Sequence, residues 1–88
     1  MDKITENEVE FGFNGVGYEF RIKKFTTEQE WNLCAKVEDI LWFKYDCDLM
    51  DLDYSGFVVF NVWTRRIDPT EFRKIIVDEI NVLLNNKK

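Results

Sequence analysis

The chain contains no histidine, a single serine (Ser55), one proline and four glycines among its 88 residues. Histidine is the side chain whose ordinary pKa suits proton transfer near neutral pH, and a serine nucleophile needs a base beside it. The usual groups of acid–base and nucleophilic catalysis are therefore missing or isolated. We expect a protein that is not an enzyme and that uses no cofactor.

Cysteine is almost as scarce, since Cys34 and Cys47 are the only two. Two thiols without histidine cannot form a closed four-ligand zinc site from soft ligands within one chain. The first ten residues are charged and lack the apolar run of a signal peptide, and no stretch approaches the roughly 20 apolar residues of a membrane span. We expect reduced thiols, with Cys34 buried in a helix, and a cytoplasmic protein without a membrane partner.

Positive charge is also in deficit, because 12 basic residues face 17 acidic ones and the formal net charge is −5. Non-specific nucleic-acid binding needs clustered cations, and docking on anionic lipid needs a basic segment. Both are disfavoured by this balance. A partner with a basic surface is favoured instead.

Large apolar side chains are abundant: 45% of the chain is hydrophobic, including three Trp, three Tyr and eight Phe. A chain of this length buries roughly 60–65% of its unfolded surface, so it needs a rich core to fold alone. This composition provides one and leaves aromatic rings for a contact surface. We expect one compact domain over residues 1–88.

The first half begins with a hairpin signal, Asn14-Gly15, which favours a two-residue type I′ turn between strands near 7–13 and 16–25. This turn defines a register with all apolar positions on one face. The apolar-face pairs are Phe13 with Val16, Phe11 with Tyr18, Val9 with Phe20, and Asn7 with Ile22. The pairs on the other face are Glu8 with Arg21 and Glu10 with Glu19.

A helix is predicted next, from the capping box formed by Thr27 and Glu30 to about Lys44 or Tyr45. Its apolar side chains recur at helical spacing and form one buried stripe. The members of this stripe are Leu33, Cys34, Val37, Ile40 and Leu41.

The second half repeats the order of elements without clear sequence identity. The β-branched and aromatic run 57–64 predicts a strand, preceded by a turn at Ser55-Gly56 and by residues 47–53, which form either a strand or a loop. Asp68 and Pro69 mark the start of a second helix. Its predicted buried residues are Phe72, Ile76, Ile80 and Leu83, flanked by Ile75 and Leu84. The order ββαββα predicts an α+β fold, a four-stranded antiparallel sheet with two helices packed on one face.

Four aspartates lie in or directly before the uncertain segment 47–53, with Glu38 and Asp39 on the preceding helix. They are Asp46, Asp48, Asp51 and Asp53. A calcium loop of the EF-hand type is excluded, because the required glycine and closing glutamate are missing. The remaining interpretations are a Ca²⁺ or Mg²⁺ site of another type, an electronegative contact patch that could imitate the phosphates of a nucleic acid, or a solvated strand edge whose charge prevents edge-to-edge pairing.

Several aromatic rings fall outside the predicted core stripes. On the first helix these are Trp31, Trp42 and Tyr45. On the last strand, Phe57 and Trp63 share a sheet face with Val59 that no helix layer covers. Exposed aromatic groups are typical anchors of protein interfaces. The alternative is that the helices splay or loops wrap over, so that these rings widen the core.

A nucleic-acid interpretation also has some support. Arg21, Lys23 and Arg65 would share the open sheet face with two aromatics, as in RNA-binding sheets where rings stack on bases. The net charge opposes this interpretation, and three glutamates share that face. These are Glu8, Glu10 and Glu19.

A small, acidic, aromatic-rich chain without a catalytic motif is typical of phage or mobile-element proteins that occlude a larger host protein. The sequence therefore predicts a non-enzymatic protein-binding module, an inhibitor or adaptor that masks a basic surface. Two alternatives remain: an assembly subunit that homo-oligomerises through its aromatic sheet face, and a small-ligand or nucleic-acid binder. The predicted contact residues are Trp31, Trp42, Tyr45, Asp46, Asp48, Asp51, Asp53, Phe57 and Trp63.

Overall fold

A computed structural model of the chain describes residues 3–45, 47–49 and 56–86. One turn of 3-10 helix, Glu6–Glu8, precedes the first strand. The strands are β1 (Val9–Phe13), β2 (Tyr18–Ile22), β3 (Cys47–Leu49) and β4 (Val58–Val62), and the helices are α1 (Glu28–Tyr45) and α2 (Pro69–Asn86).

The four strands form one antiparallel sheet in the order β1-β2-β4-β3. Alternate strand residues, such as Phe20, Phe60 and Val62, join a single buried cluster with the apolar stripes of both helices. The predicted α+β class, with its two helices and four-stranded antiparallel sheet, is confirmed. Strands β1 and β3 are the two edges of the sheet.

The register predicted for the first hairpin is wrong by two residues. Phe13 lies opposite Tyr18 and Phe11 opposite Phe20, so the chain turns one residue later than the Asn14-Gly15 rule indicates. A shift of two residues preserves which face each side chain occupies, since side chains alternate with a period of two. The hairpin therefore still has one apolar face and one charged face, as predicted.

Two physical reasons account for the shift. The predicted register would place Glu10 opposite Glu19, and like charges directly opposite are destabilising. The observed register places Glu10 opposite Arg21. The carboxamide of Asn14 also shapes the turn, because its Oδ1 accepts hydrogen bonds from the backbone N–H groups of Val16 (3.1 Å) and Gly17 (2.6 Å).

Both helices begin where the sequence predicts. Glu30 N–H donates to the Thr27 hydroxyl, and the Glu30 carboxylate accepts from the Thr27 N–H at 3.1 Å. Asp68 Oδ1 accepts from the Thr70 N–H at 2.9 Å. Ile40 was predicted to lie in the buried stripe of α1, but it is exposed. Neither helix, over its described residues, has the length and apolar character needed to cross a membrane.

Strand bounds differ from the prediction at three places. Residues 7 and 8 belong to the 3-10 turn, β2 covers 18–22 rather than 16–25, and β4 covers 58–62 rather than 57–64. β3 pairs with β4, which supports a strand at 47–49. The predicted strand residues 50–53 and the predicted turn residue Ser55 lie outside the described residues.

Both thiols are buried and free, and the predicted core position of Cys34 is confirmed. Burial raises the pKa of each to about 12, with smaller contributions from Glu30 near Cys34 and from Glu38 and Asp48 near Cys47. A thiol with such a pKa is protonated at neutral pH. It is therefore a core side chain and not a nucleophile.

Candidate functional site

Two exposed indoles lie on either side of a carboxylate at the β3 edge of the sheet. Trp42, on α1, is 47% exposed, and Trp63, directly after β4, is 43% exposed. The Trp63 Nε1–H donates to Asp48 Oδ2 at 2.6 Å. Glu38 and Asp39 lie beside Trp42 on α1. We call these five residues the indole surface.

Strand pairing explains how two of these groups meet. Asp48 of β3 lies opposite Asn61 of β4, so both side chains point to the same face of the sheet. Trp63 follows Asn61 by two residues and returns to that face. Diagonal neighbours across a strand pair are within reach of a large aromatic ring, which brings the indole to the carboxylate.

Two open depressions meet at Asp48. The larger, about 490 Å³, is lined by Asn14, Glu19, Asp48, Leu49, Asn61 and Trp63. The smaller, about 290 Å³, is lined by Glu38, Asp39, Trp42 and Asp48. An indole borders each depression, and carboxylate groups lie between the two depressions. This shape suits the side chains of a partner protein that press against the sheet edge from outside.

The charge of the surface is negative and uncompensated within the described residues. The ion pairs among the described residues all lie on the first hairpin and its flanks. They are Arg21 with Glu19, Lys23 with Glu10, and Lys24 with Glu8. Glu38, Asp39 and Asp48 have no such cation. Their combined field therefore extends into solvent.

The environment of Glu38 disfavours the ionised form of its carboxyl group. Burial raises its pKa, the Leu49 N–H that donates to Oε2 at 2.6 Å opposes this, and the neighbouring charges of Asp48 and Asp39 raise the pKa further. The net direction is upward. The fold thus holds the ionised Glu38 carboxylate near two like charges, and one backbone hydrogen bond partly offsets this repulsion.

Glu38→Gln is therefore expected to stabilise the protein at pH 7, by less than about 1 kcal/mol because the group is partly solvated. The glutamine oxygen can still accept from the Leu49 N–H. A folded-state pKa above the unfolded one means that wild type loses stability as pH rises through the folded pKa. Urea unfolding at pH 4 and pH 7 should show the variant's advantage only at pH 7. An equal effect at both values would contradict the assigned cause.

An interior amide pair supports the surface from below and was missed by sequence reasoning. Asn61, only 4% exposed, accepts through Oδ1 from Asn14 Nδ2 at 3.2 Å. The same Nδ2 is near the carbonyl oxygens of Tyr18 (3.0 Å) and Val62 (3.4 Å). The signal was an asparagine within an otherwise β-branched and aromatic run, since asparagine is depleted in strands.

Trp31 and Tyr45, predicted as contact residues, are half-buried and pack against the hydrophobic core. The ring of Tyr45 meets Phe72 of α2 edge-on, with centroids 5.1 Å apart. The alternative in which these rings widen the core thus holds for both residues. Phe43, next to Trp42, is the most exposed large hydrophobic residue described, and its angular distance from the α1 stripe on the helix could have identified it.

The sheet face opposite the helices is less open than expected. Val59 is buried there, which corrects the expectation that it is uncovered. Phe57 is half-buried and precedes β4 at the opposite end from Trp63. Of the predicted acidic residues, Asp48 belongs to the indole surface, whereas Asp46, Asp51 and Asp53 lie outside the described residues.

The arrangement proposed for RNA binding does not form. Arg65 lies over the ring of Phe13, 5.1 Å from its centroid, rather than beside Trp63. Arg21 and Lys23 are engaged by Glu19 and Glu10. These three cations, all within the described part of the chain, are therefore engaged by Phe13, Glu19 and Glu10.

Among the described residues, no group of three or more Cys, Asp or Glu side chains has an arrangement that could hold a metal ion. Comparison of the chain with protein-family models, curated proteins and solved structures gives no match. Function must therefore be inferred from the surface itself.

Proposed function

We propose that this chain is a non-enzymatic protein-binding module whose indole surface occludes a basic surface of a larger protein. The observation that supports this function is the pair of half-exposed indoles, Trp42 and Trp63, set around unpaired carboxylates. Tryptophan is enriched among residues that dominate binding energy. Carboxylates around it repel wrong partners and accelerate association with basic ones.

The size of the molecule fits a masking role. A standard interface takes about 800 Å² from each partner, whereas the whole accessible surface of this chain is 5451 Å². One partner would thus cover about a seventh of it. The indoles and their depressions would form the centre of that area, and the carboxylates of Glu38, Asp39 and Asp48 its rim. Binding would block the partner's own basic site by occupying it.

The central test replaces each tryptophan separately by alanine. Trp42→Ala and Trp63→Ala are each expected to lower the free energy of unfolding by about 1–2 kcal/mol, because roughly half of each indole is buried. Each should weaken partner binding by about 2 kcal/mol, or roughly 30-fold. Trp31→Ala is the matched control, because this indole packs on the core. It should cost about 2 kcal/mol of stability or more and leave the affinity of the folded protein unchanged.

The measurements need a partner, which crosslinked pull-down with wild type and with both variants would identify. Calorimetry then gives affinities, and urea unfolding gives stabilities. Asp48→Asn should mainly slow association and flatten its salt dependence. If Trp42→Ala and Trp63→Ala both lose several kcal/mol of stability while the remaining folded protein binds normally, the proposed surface does not exist. A stable wild-type dimer that Trp63→Ala dissociates would support the assembly subunit instead.

A further inference from the structure

The opposite edge of the sheet carries a second apolar surface of a different character. Phe11 is 39% and Phe13 69% exposed, although both point to the side of the sheet that the helices cover. Their rings lie against aromatic rings of the next strand inward, Phe11 near Phe20 and Phe13 near Tyr18, with centroids 6.1 and 5.4 Å apart. An exposed hydrophobic edge strand is a hazard that proteins usually avoid. The exposed apolar edge strand of this protein therefore indicates a binding site.

Two arginines lie on these rings. The guanidinium carbon of Arg73 lies 5.5 Å from the centroid of Phe11, and that of Arg65 lies 5.1 Å from the centroid of Phe13. Neither arginine is ion-paired within the part of the chain described. Arg73 Nε is moreover buried without a hydrogen-bond partner. We call Phe11, Phe13, Arg65 and Arg73 the arginine edge.

The backbone of β1 is also free to pair. β1 contacts only β2 in the sheet, and Asn14 N–H donates to the Gly17 carbonyl at 3.3 Å. Hydrogen-bonded pairs alternate along an antiparallel ladder. Gly12 is therefore the next residue bonded to β2, and the N–H and C=O groups of Phe11 and Phe13 point away from it, toward the outer edge.

We propose that the arginine edge binds an extended acidic segment of a partner protein, which adds to the sheet as a strand beside β1. Main-chain hydrogen bonds to an exposed edge supply affinity in this mode of recognition, and side chains on alternate positions supply specificity. Carboxylates of the added strand would reach Arg65 and Arg73. The methylene groups of the same acidic side chains would cover the phenyl rings, because only alternate residues of the added strand face that side of the sheet.

Charge and geometry select this occupant over the alternatives. Pairing of β1 with β1 of a second copy would bring two sets of unpaired arginines together. Stacking of nucleic-acid bases needs a free ring face, but each phenyl ring already has a guanidinium over one face. An acidic strand would instead place carboxylates beside the two guanidinium groups and leave these groups stacked on the phenyl rings.

This site lies at the other edge of the sheet from the indole surface and has the opposite charge. It is independent of the proposed function, because none of its residues contributes to the indole surface. Occupied together, the two edges would make the chain an adaptor that joins a basic partner to an acidic one.

The test uses a fluorescein-labelled heptapeptide in which glutamate alternates with valine, and fluorescence anisotropy as the readout. The matched probe has lysine in place of glutamate. Wild type is expected to bind the glutamate peptide at least about tenfold more tightly than the lysine peptide. Arg65→Glu with Arg73→Glu should weaken binding at least about tenfold, whereas Arg66→Glu, a neighbouring exposed arginine, should change it less than about threefold. Hydrogen exchange at the amides of Phe11 and Phe13 should slow when the peptide is bound.

Equal binding of both peptides, or binding that survives the double substitution, would overturn the proposal. Tighter binding of an oligothymidylate than of the glutamate peptide would assign the edge to nucleic acid. Self-association that both the double substitution and Asp48→Lys abolish would assign it to the indole surface of a second copy. Trp42→Ala and Trp63→Ala should leave peptide binding unchanged, so failure here is distinguishable from failure of the proposed function.

Discussion

Gly17→Ala is expected to lower the free energy of unfolding by about 3 kcal/mol, because the site has no room for a methyl group. A Cβ at this position would lie 2.1 Å from the Val62 carbonyl oxygen and 2.7 and 2.8 Å from the backbone N and O of Thr64. These are backbone atoms, so relief requires the hairpin and the end of β4 to separate. Trp63 lies between these two residues, and the substitution should therefore also change its fluorescence.

Two other glycines of the hairpin provide controls in the same urea-unfolding experiment. At Gly15 a Cβ would meet nothing within 4 Å, but its φ of +96° disfavours a side chain, so Gly15→Ala should cost about 1 kcal/mol. At Gly12 the nearest atom is the flexible end of Arg21, at 3.1 Å, and Gly12→Ala should cost the least. Equal losses for Gly17→Ala and Gly12→Ala would contradict the close approach.

Local signals predicted the elements well and their alignment less well. The capping box at Thr27 and the N-cap at Asp68 act within one helical turn, and both helices begin there. The hairpin signal at Asn14 also acts locally, but its carboxamide additionally bonds Asn61 on a strand much later in the chain. A rule that considers only the two central turn residues cannot include that partner, and the register shifted by two.

The candidate site shows the same division. Helical periodicity placed both Trp42 and Tyr45 away from the α1 stripe, and Trp42 is indeed exposed. Tyr45 is not, because Phe72 of α2 packs against it. Periodicity gives the direction of a side chain but not which element lies across from it. The arginine edge was missed for this reason, since Arg65 and Arg73 reach β1 only through tertiary packing.

Asn14→Ala is expected to cost about 3 kcal/mol, because one side chain satisfies several backbone groups and a buried amide. The carboxamide accepts from Val16 and Gly17 N–H and donates toward Asn61 Oδ1. Its loss frees the turn and leaves Asn61 with an unpaired buried oxygen. Asn32→Ala on the exposed face of α1 is the matched control and should change stability by less than about 0.5 kcal/mol.

A double-mutant cycle separates the two contributions of Asn14. Asn61→Val alone would remove a buried polar group but leave the Asn14 amide with one acceptor fewer. With Asn14→Ala already present, the same substitution removes an unsatisfied oxygen and adds β-branched packing, so it should stabilise. We expect the double variant to be more stable than Asn14→Ala alone, with a coupling energy of about 1 kcal/mol or more. Strictly additive losses by urea unfolding would mean that Asn14 acts on the turn alone. In that case the register of the hairpin would not depend on the amide pair beneath the indole surface.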